Sequence, residues 1–168
     1  FTYSIVTNVD AEHLDYYKSL KNLKKNFSEF LEKTPSLGKA FACIDDENTK
    51  DVLKKIKNKN FYTYGVNKNS NFKISNILQS KYFSEFNIKI NIPGNKKIIK
   101  KIKIPLLGLH NIKNAASAVA VSYSIGISEN IIKRGLLNFK GVQRRFTYLF
   151  EKKKSIFFDD YAHHPTEI

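Results

Sequence analysis

Along the chain the spacing of apolar residues changes from helical to alternating and back, and each change marks an element. Tyr3-Ser4-Ile5-Val6-Thr7 reads as a strand that ends at a polar loop, Asn8 to His13. From Tyr16 to Lys33, Leu20, Leu23, Phe27, Phe30 and Leu31 recur at the spacing of one amphipathic helix. Pro35 and Gly38 end it, and Ala40 to Ile44 forms the next strand, apolar throughout and so expected to be buried. Asp45-Asp46-Glu47-Asn48 supplies caps and acidic first-turn residues for a helix through Ile56. Phe61-Tyr62-Thr63-Tyr64 is a third strand, closed by Gly65. Strands and helices alternating at this spacing predict a parallel sheet with crossover helices.

After Gly65 the pattern shifts to alternation: Phe72 and Ile74, then Phe86, Ile88 and Ile90, then Ile98, Ile102 and Ile104, between Asn, Gly and Lys turns. That predicts a small antiparallel meander. Pro105 and Gly108 mark a return to helix. Asn111 to Ser124 is rich in alanine, suited to close packing on a sheet, and Gly126 ends it. Ser128-Glu129-Asn130 caps a short helix through Leu137. Gly141 to Arg145 reads as a linker, and Phe146 to Phe150 with Ser155 to Phe158 as the two-stranded opening of a new domain, the second strand buried. The fold class is α/β.

Composition narrows the choice of function. A chain of 168 residues is one ordinary domain, or one domain and part of another. No apolar run approaches the roughly 20 residues of a membrane span, and there is no signal-peptide pattern. The single Cys43 allows no internal disulfide, so a reducing cytoplasm is the expected compartment. The chain opens on Phe1, contains no methionine and stops where a helix would begin, so it is expected to be a piece of a longer protein. A net charge of +14 makes a basic nucleic-acid-binding module the competing class. Against that class, the excess is scattered lysine, and the only arginines are Arg134, Arg144 and Arg145; phosphate-clamping surfaces favour arginine. Lys96-Lys97 and Lys100-Lys101 read as solvated charges on a hairpin.

Three groups of residues carry chemistry. Asp10, Glu12, His13 and Asp15 crowd the loop after the first strand. Such a set suits a hard divalent cation, and equally a helix N-terminus with Asp10 or Glu12 as cap; residue types alone favour the cap. His110, Asn111 and Asn114 open the alanine-rich helix. An Asn amide offers the donor and acceptor that an adenine edge requires, and an imidazole can stack on the base; both asparagines could also cap the helix. Asp159-Asp160-Tyr161-Ala162-His163-His164-Pro165-Thr166-Glu167-Ile168 follows the last apolar run, and polar groups at the carboxyl end of a strand are where open α/β sheets place ligand chemistry.

In chain order these strings, Val6-Thr7-Asn8-Val9-Asp10-Ala11-Glu12-His13-Leu14-Asp15, Gly108-Leu109-His110-Asn111-Ile112-Lys113-Asn114-Ala115-Ala116 and Asp159 to Ile168, resemble the Mur ligases. The resemblance runs the length of the chain. It implies that residues 1–141 are the C-terminal part of the central ATP-binding domain, and 142–168 the linker and start of an α/β C-terminal ligase domain. It implies ATP and Mg²⁺ as cofactors, with His13 on the metal and His110, Asn111 and Asn114 around adenine. Arg145 would reach nucleotide phosphate from the linker as a catalytic residue, and Asp160 would hold the ATP ribose. Tyr161 and His163 would face the amino-acid and UDP-sugar end, His163 also as a catalytic residue. Arg144 would be a surface residue, and Ala162 stands where some relatives have Gly. Phe27 stands where some relatives carry a modified lysine, which favours the branch that joins L-alanine to UDP-N-acetylmuramate for peptidoglycan precursor synthesis.

The murein-tripeptide recycling ligases share these strings and are the alternative within the family; the folylpolyglutamate synthetases share the fold without the final string. No G-x-x-x-x-G-K-[ST] loop occurs in the chain, and the resemblance places one upstream of Phe1. The 168 residues alone are therefore expected to be inactive.

Overall fold

The computed structural model describes residues 2–58, 60–145 and 147–162. Its elements are β1 (Tyr3–Val6), α1 (Leu14–Tyr17), α2 (Leu20–Glu32), β2 (Lys39–Cys43), α3 (Glu47–Lys55), β3 (Phe61–Gly65), β4 (Phe72–Gln79), β5 (Ser84–Ile92), β6 (Asn95–Ile104), α4 (Leu109–Ser124), α5 (Glu129–Asn138), β7 (Thr147–Lys152) and β8 (Ser155–Asp159). Strands β1 to β6 form one sheet in sequence order, and β7 and β8 a separate hairpin.

The first three strands are parallel, as the alternation of strands and helices predicts. β2 is buried on both faces. Phe41 and Cys43 join the core under α4, while Ala40, Ala42 and the following Ile44 join the core under α2 and α3. Period-two side-chain alternation sends one apolar run to two cores. Small residues suit the close seat of α4: Ala115, Ala116 and Ala120 are buried there beside Ile112 and Val119.

The meander is not a separate layer. β4 begins where β3 ends, and the two overlap in parallel through Tyr64 opposite Phe72 and Gly65 opposite Lys73. The overlap is so short that the loop between them suffices to step across, without the helical crossover that longer parallel pairs require. Asn71 joins the halves. Its Oδ1 accepts the Thr63 N–H at 2.9 Å, and its Nδ2 donates to the Asn91 carbonyl at 3.0 Å. Beyond this junction β4, β5 and β6 are antiparallel. Phe72, Phe86, Ile88, Ile102 and Ile104 face the α4 core, while Lys100, Lys101 and Lys103 are exposed.

Three expectations are corrected. The single helix expected over 16–33 is two, because Lys18 takes a left-handed backbone (φ 64°) and the Ser19 Oγ caps α2 by accepting the Asn22 N–H at 3.2 Å. Ser128 stands at the N-cap of α5 but its side chain makes no capping bond. The strand over Ser155–Phe158 forms but is not buried: Phe157 is 43% exposed, and β7 is its only strand partner among the described residues.

α2 and α3 are joined by Asp51, whose carboxylate accepts from Lys24 Nζ and Lys54 Nζ, each at 2.9 Å. The hydrogen bond from Lys24, then that from Lys54, holds the Asp51 carboxyl down at about 2, against an ordinary 3.8. A depressed folded value stabilises the protein above the unfolded value and loses that stability as the pH falls through the folded one. Asp51→Asn is therefore expected to flatten the acid limb of the stability curve between about pH 4 and pH 2. At neutral pH the melting temperature should fall by the same amount that the acid limb loses, and both changes should be modest because exposed pairs contribute little. Thermal unfolding across that range is the measurement; an unchanged acid limb would remove Asp51 from the account.

Candidate functional site

The carboxyl ends of β1, β2 and β3 and, through Lys113, helix α4 converge on two adjacent aspartates that follow β2. Asp46 caps α3: its Oδ2 accepts the Thr49 N–H at 2.7 Å and the Thr49 hydroxyl at 2.8 Å. The same oxygen accepts the Val9 N–H at 3.2 Å, and Asn48 Nδ2 donates to the Val9 carbonyl at 2.7 Å. Val9 is fully buried, so the middle of the loop after β1 is fastened at both its backbone groups and its side chain.

Past Val9 the loop turns outward. Asp10 Oδ1 accepts the Ala11 N–H and the Asp10 carbonyl accepts the Glu12 N–H, both at 2.8 Å. His13 follows with a left-handed backbone (φ 54°) and an exposed side chain, and its carbonyl accepts the Tyr16 and Tyr17 N–H groups. The N-cap of α1 is thus His13 itself, without a side-chain capping bond, rather than Asp10 or Glu12. Among the described residues no three His, Cys, Asp or Glu side chains gather where they could hold a metal ion. Mg²⁺ takes most of its ligands from water and substrate phosphate. The exposed His13 imidazole could supply one ligand to an ion held in that way, and makes no closed cage with its neighbours.

Asp45 faces the other way. Its Oδ2 accepts the Val66 N–H at 3.0 Å and its Oδ1 the Asn67 N–H at 2.9 Å, and Lys113 Nζ on α4 lies 3.2 Å from Oδ2. The carboxylate is only 7% exposed, a buried charge answered by two backbone donors and an ammonium. Gly65 permits this approach: its φ is +139°, and a Cβ there would lie 2.5 Å from Asp45 Oδ1. Two residues before Asp45, burial pushes the Cys43 thiol up from its ordinary value.

The first turn of α4 starts at Gly108, with φ +91° and no side chain to cap with. The His110 ring packs on it, so that a Cβ at Gly108 would lie 2.6 Å from His110 Cε1. Asn111 Nδ2 donates to the Leu107 carbonyl at 2.7 Å, fastening the turn, while His110 and Asn114 are exposed. Asn111 and Asn114, three apart, share one helix face. Neither is the N-cap, though Asn111 does hold the entry to the helix.

The third group surrounds the linker. The Arg145 N–H reaches the Val142 carbonyl at 3.3 Å, and Arg145 lines a cleft of about 270 Å³ with Lys81, Leu106, Lys140, Tyr148 and Phe158. Of the site residues named from sequence that are described, Arg145 is the one that lines it. Arg144 does more than sit on the surface. Its guanidinium lies 4.7 Å from the Tyr161 ring centroid and its carbonyl accepts the Tyr161 N–H at 2.8 Å. Asp160 is exposed, and its Oδ1 accepts the Ala162 N–H at 2.8 Å. Lys81 Nζ and Glu151 Oε2, 2.6 Å apart, tie the β7–β8 hairpin to the sheet. His163 lies outside the described residues. Phe27 packs against the α2–α3 core, and the neighbouring Lys24 is held by Asp51.

Known proteins resemble this chain along its whole length. Residues 1–122 match the family model described as the Mur ligase middle domain. The chain is 59% identical over 168 residues to the UDP-N-acetylmuramate–L-alanine ligase of Pelagibacter ubique, covering 99% of this chain and 36% of that protein. Among solved structures, the UDP-N-acetylmuramate–alanine ligase of Thermotoga maritima superposes with a TM-score of 0.73 at 25% identity, over 99% of this chain and 36% of that one. A murein peptide ligase from Psychrobacter arcticus gives 0.67 at 26% identity, over 99% and 33%. The chain therefore spans little more than a third of the length of the relatives it matches.

The backbone at Gly108 gives a direct check on the α4 entry. Gly108→Ala should destabilise the chain by about 1–3 kcal/mol, the range for a strained non-glycine backbone, and should free the first-turn amides of α4 to exchange. A urea midpoint equal to that of the parent would contradict it.

Proposed function

The chain belongs to the Mur ligase family, and on that premise we propose that it carries the nucleotide and metal face of a ligase joining L-alanine to UDP-N-acetylmuramate at the expense of ATP. The observation that supports this acceptor most directly is the 59% identity to an L-alanine ligase across 99% of the chain. In the proposed reaction the γ-phosphoryl group of ATP passes to the muramate carboxylate, giving an acyl phosphate and ADP. The alanine amine attacks the acyl carbon, phosphate leaves, and the amine loses a proton as the amide forms.

Each group takes one part. Mg²⁺, when bound, would neutralise phosphate charge, and His13 would supply one of its protein ligands. Asn111 and Asn114 read the adenine edge from their shared face, with His110 against the base. Arg145, on the cleft wall, delivers a planar fork of donors to phosphate, and Asp160 takes the ribose. Tyr161 faces the far end of the substrate cleft, and His163, outside the described residues, is assigned there with it and also keeps its catalytic assignment. Residues 1–141 form the rear of the central domain, and 142–168 the linker and the start of the next.

His13→Ala in the full-length ligase should raise the magnesium requirement and lower turnover by roughly 10²–10³, the loss expected when one stabilising group leaves a preorganised site. An unchanged rate at limiting Mg²⁺ would end the metal assignment. For the base, Asn114→Ala is cleaner than Asn111→Ala, because Asn111 also fastens Leu107. It should raise the KM for ATP by roughly 5- to 100-fold, the range for lost hydrogen bonds, and leave that for L-alanine unmoved. An equal rise in both would argue against adenine contact. Titration of Mg–ATP into the 168-residue chain should show no micromolar binding, since phosphates draw much of their affinity from a backbone loop this chain lacks; micromolar binding would relocate the nucleotide site.

A further inference from the structure

We propose that Asp45 and Asp46 are positioning residues that set the His13 loop and the asparagine face of α4 in register with each other. The proposal rests on the reading of His13 and of Asn111 and Asn114 given above. Two adjacent carboxylates at the end of a strand point to opposite loops. Asp46, with Asn48, grips Val9 by its N–H and its carbonyl, four residues before His13. Asp45 grips the Val66 and Asn67 N–H groups and, through Lys113, the helix turn that lies between Asn111 and Asn114. A rigid dipeptide thus stands between the group assigned to the metal and the group assigned to the base. The strand behind it is buried on both faces, so neither carboxylate can shift without disturbing a core. A ligand that must touch a metal and a base pocket at once needs those two pockets at a set separation.

Two substitutions separate the arms without removing either aspartate. Asn48→Ala deletes the donor to the Val9 carbonyl and puts a better helix former into α3. Lys113→Met deletes the ammonium beside Asp45 and leaves that carboxylate its two backbone donors. In the metal-free full-length protein, Asn48→Ala should speed amide exchange at Ala11 and Glu12 roughly tenfold, the equivalent of one lost hydrogen bond, with β2 and α3 still protected. In steady-state assays Asn48→Ala should raise the half-saturating Mg²⁺ several-fold with the KM for ATP held, and Lys113→Met should do the reverse. Asp46→Ala should reproduce the magnesium effect and also loosen α3. Asp46→Asn, which keeps an oxygen acceptor at the cap, should restore both.

Exchange in the loop that ignores Asn48→Ala overturns the proposal. So does a fall in melting temperature with no split between the two constants, which is what a merely structural role would give. His13→Ala and Asn114→Ala serve as references: if they too leave magnesium and ATP dependence unchanged, the assignment of the site fails. If they shift those constants while the positioning variants do not, only the role of Asp45 and Asp46 falls.

Discussion

Burial of β2 on both faces is the constraint from which the rest follows. A strand with Phe41 and Cys43 turned to one core and Ala40 and Ala42 to the other has no lateral exit for a polar group. Polarity is confined to its end, and there the chain spends two aspartates in succession. Because the strand cannot translate, the oxygen atoms that follow it are held in place, and two loops and helix α4, from distant parts of the chain, take their bearings from them. Desolvated carboxylates are tolerable only when fully answered, and backbone N–H groups supply most of the answer. The loops are therefore bound to the sheet by groups that mutation of their own side chains cannot remove.

Local signals in the sequence were read correctly where the cause is local. Apolar period and breakers located β1 to β6 and α2 to α5 because each depends on residues within its own span. The division of α1 from α2 escaped because Lys18, a residue with no turn preference, adopts a left-handed backbone. The continuity of the two half-sheets escaped because it rests on Asn71, an unremarkable loop residue whose partners Thr63 and Asn91 lie on either side of it. The site was legible as strings; in the fold His13 lies in the exposed loop after β1, and Asn111 and Asn114 on one face of α4. Asp46 was legible as a cap. Asp45 was not, since Val66, Asn67 and Lys113 come to it only through the fold. One sign was present: two acidic residues directly after an apolar strand are more than a single cap requires.

The linker holds a similar lesson. Arg144 carries no motif weight beside Arg145, yet it clasps Tyr161 through both its guanidinium and its carbonyl. That contact closes the β7–β8 hairpin on its own base, so the hairpin and Arg144 form one unit while Arg145 turns toward the cleft. Neighbouring arginines thus serve opposite partners, one holding the unit together and the other presenting charge at its boundary. The turn at Gly141, with φ +85°, is the joint on which that unit is hung.

The exposed lysines of β6 bear on what that strand can pair with. β6 is the last strand of the six-stranded sheet, and a sheet edge is a template on which another chain can add a strand. Lys96, Lys97, Lys100, Lys101 and Lys103 crowd that edge, and Lys101 breaks its regularity with a left-handed backbone (φ 55°). An incoming strand would have to bury several ammonium groups and fit an interrupted ladder. Part of the charge excess that could be taken for affinity toward polyanions thus lies where it disfavours the addition of a further strand to β6.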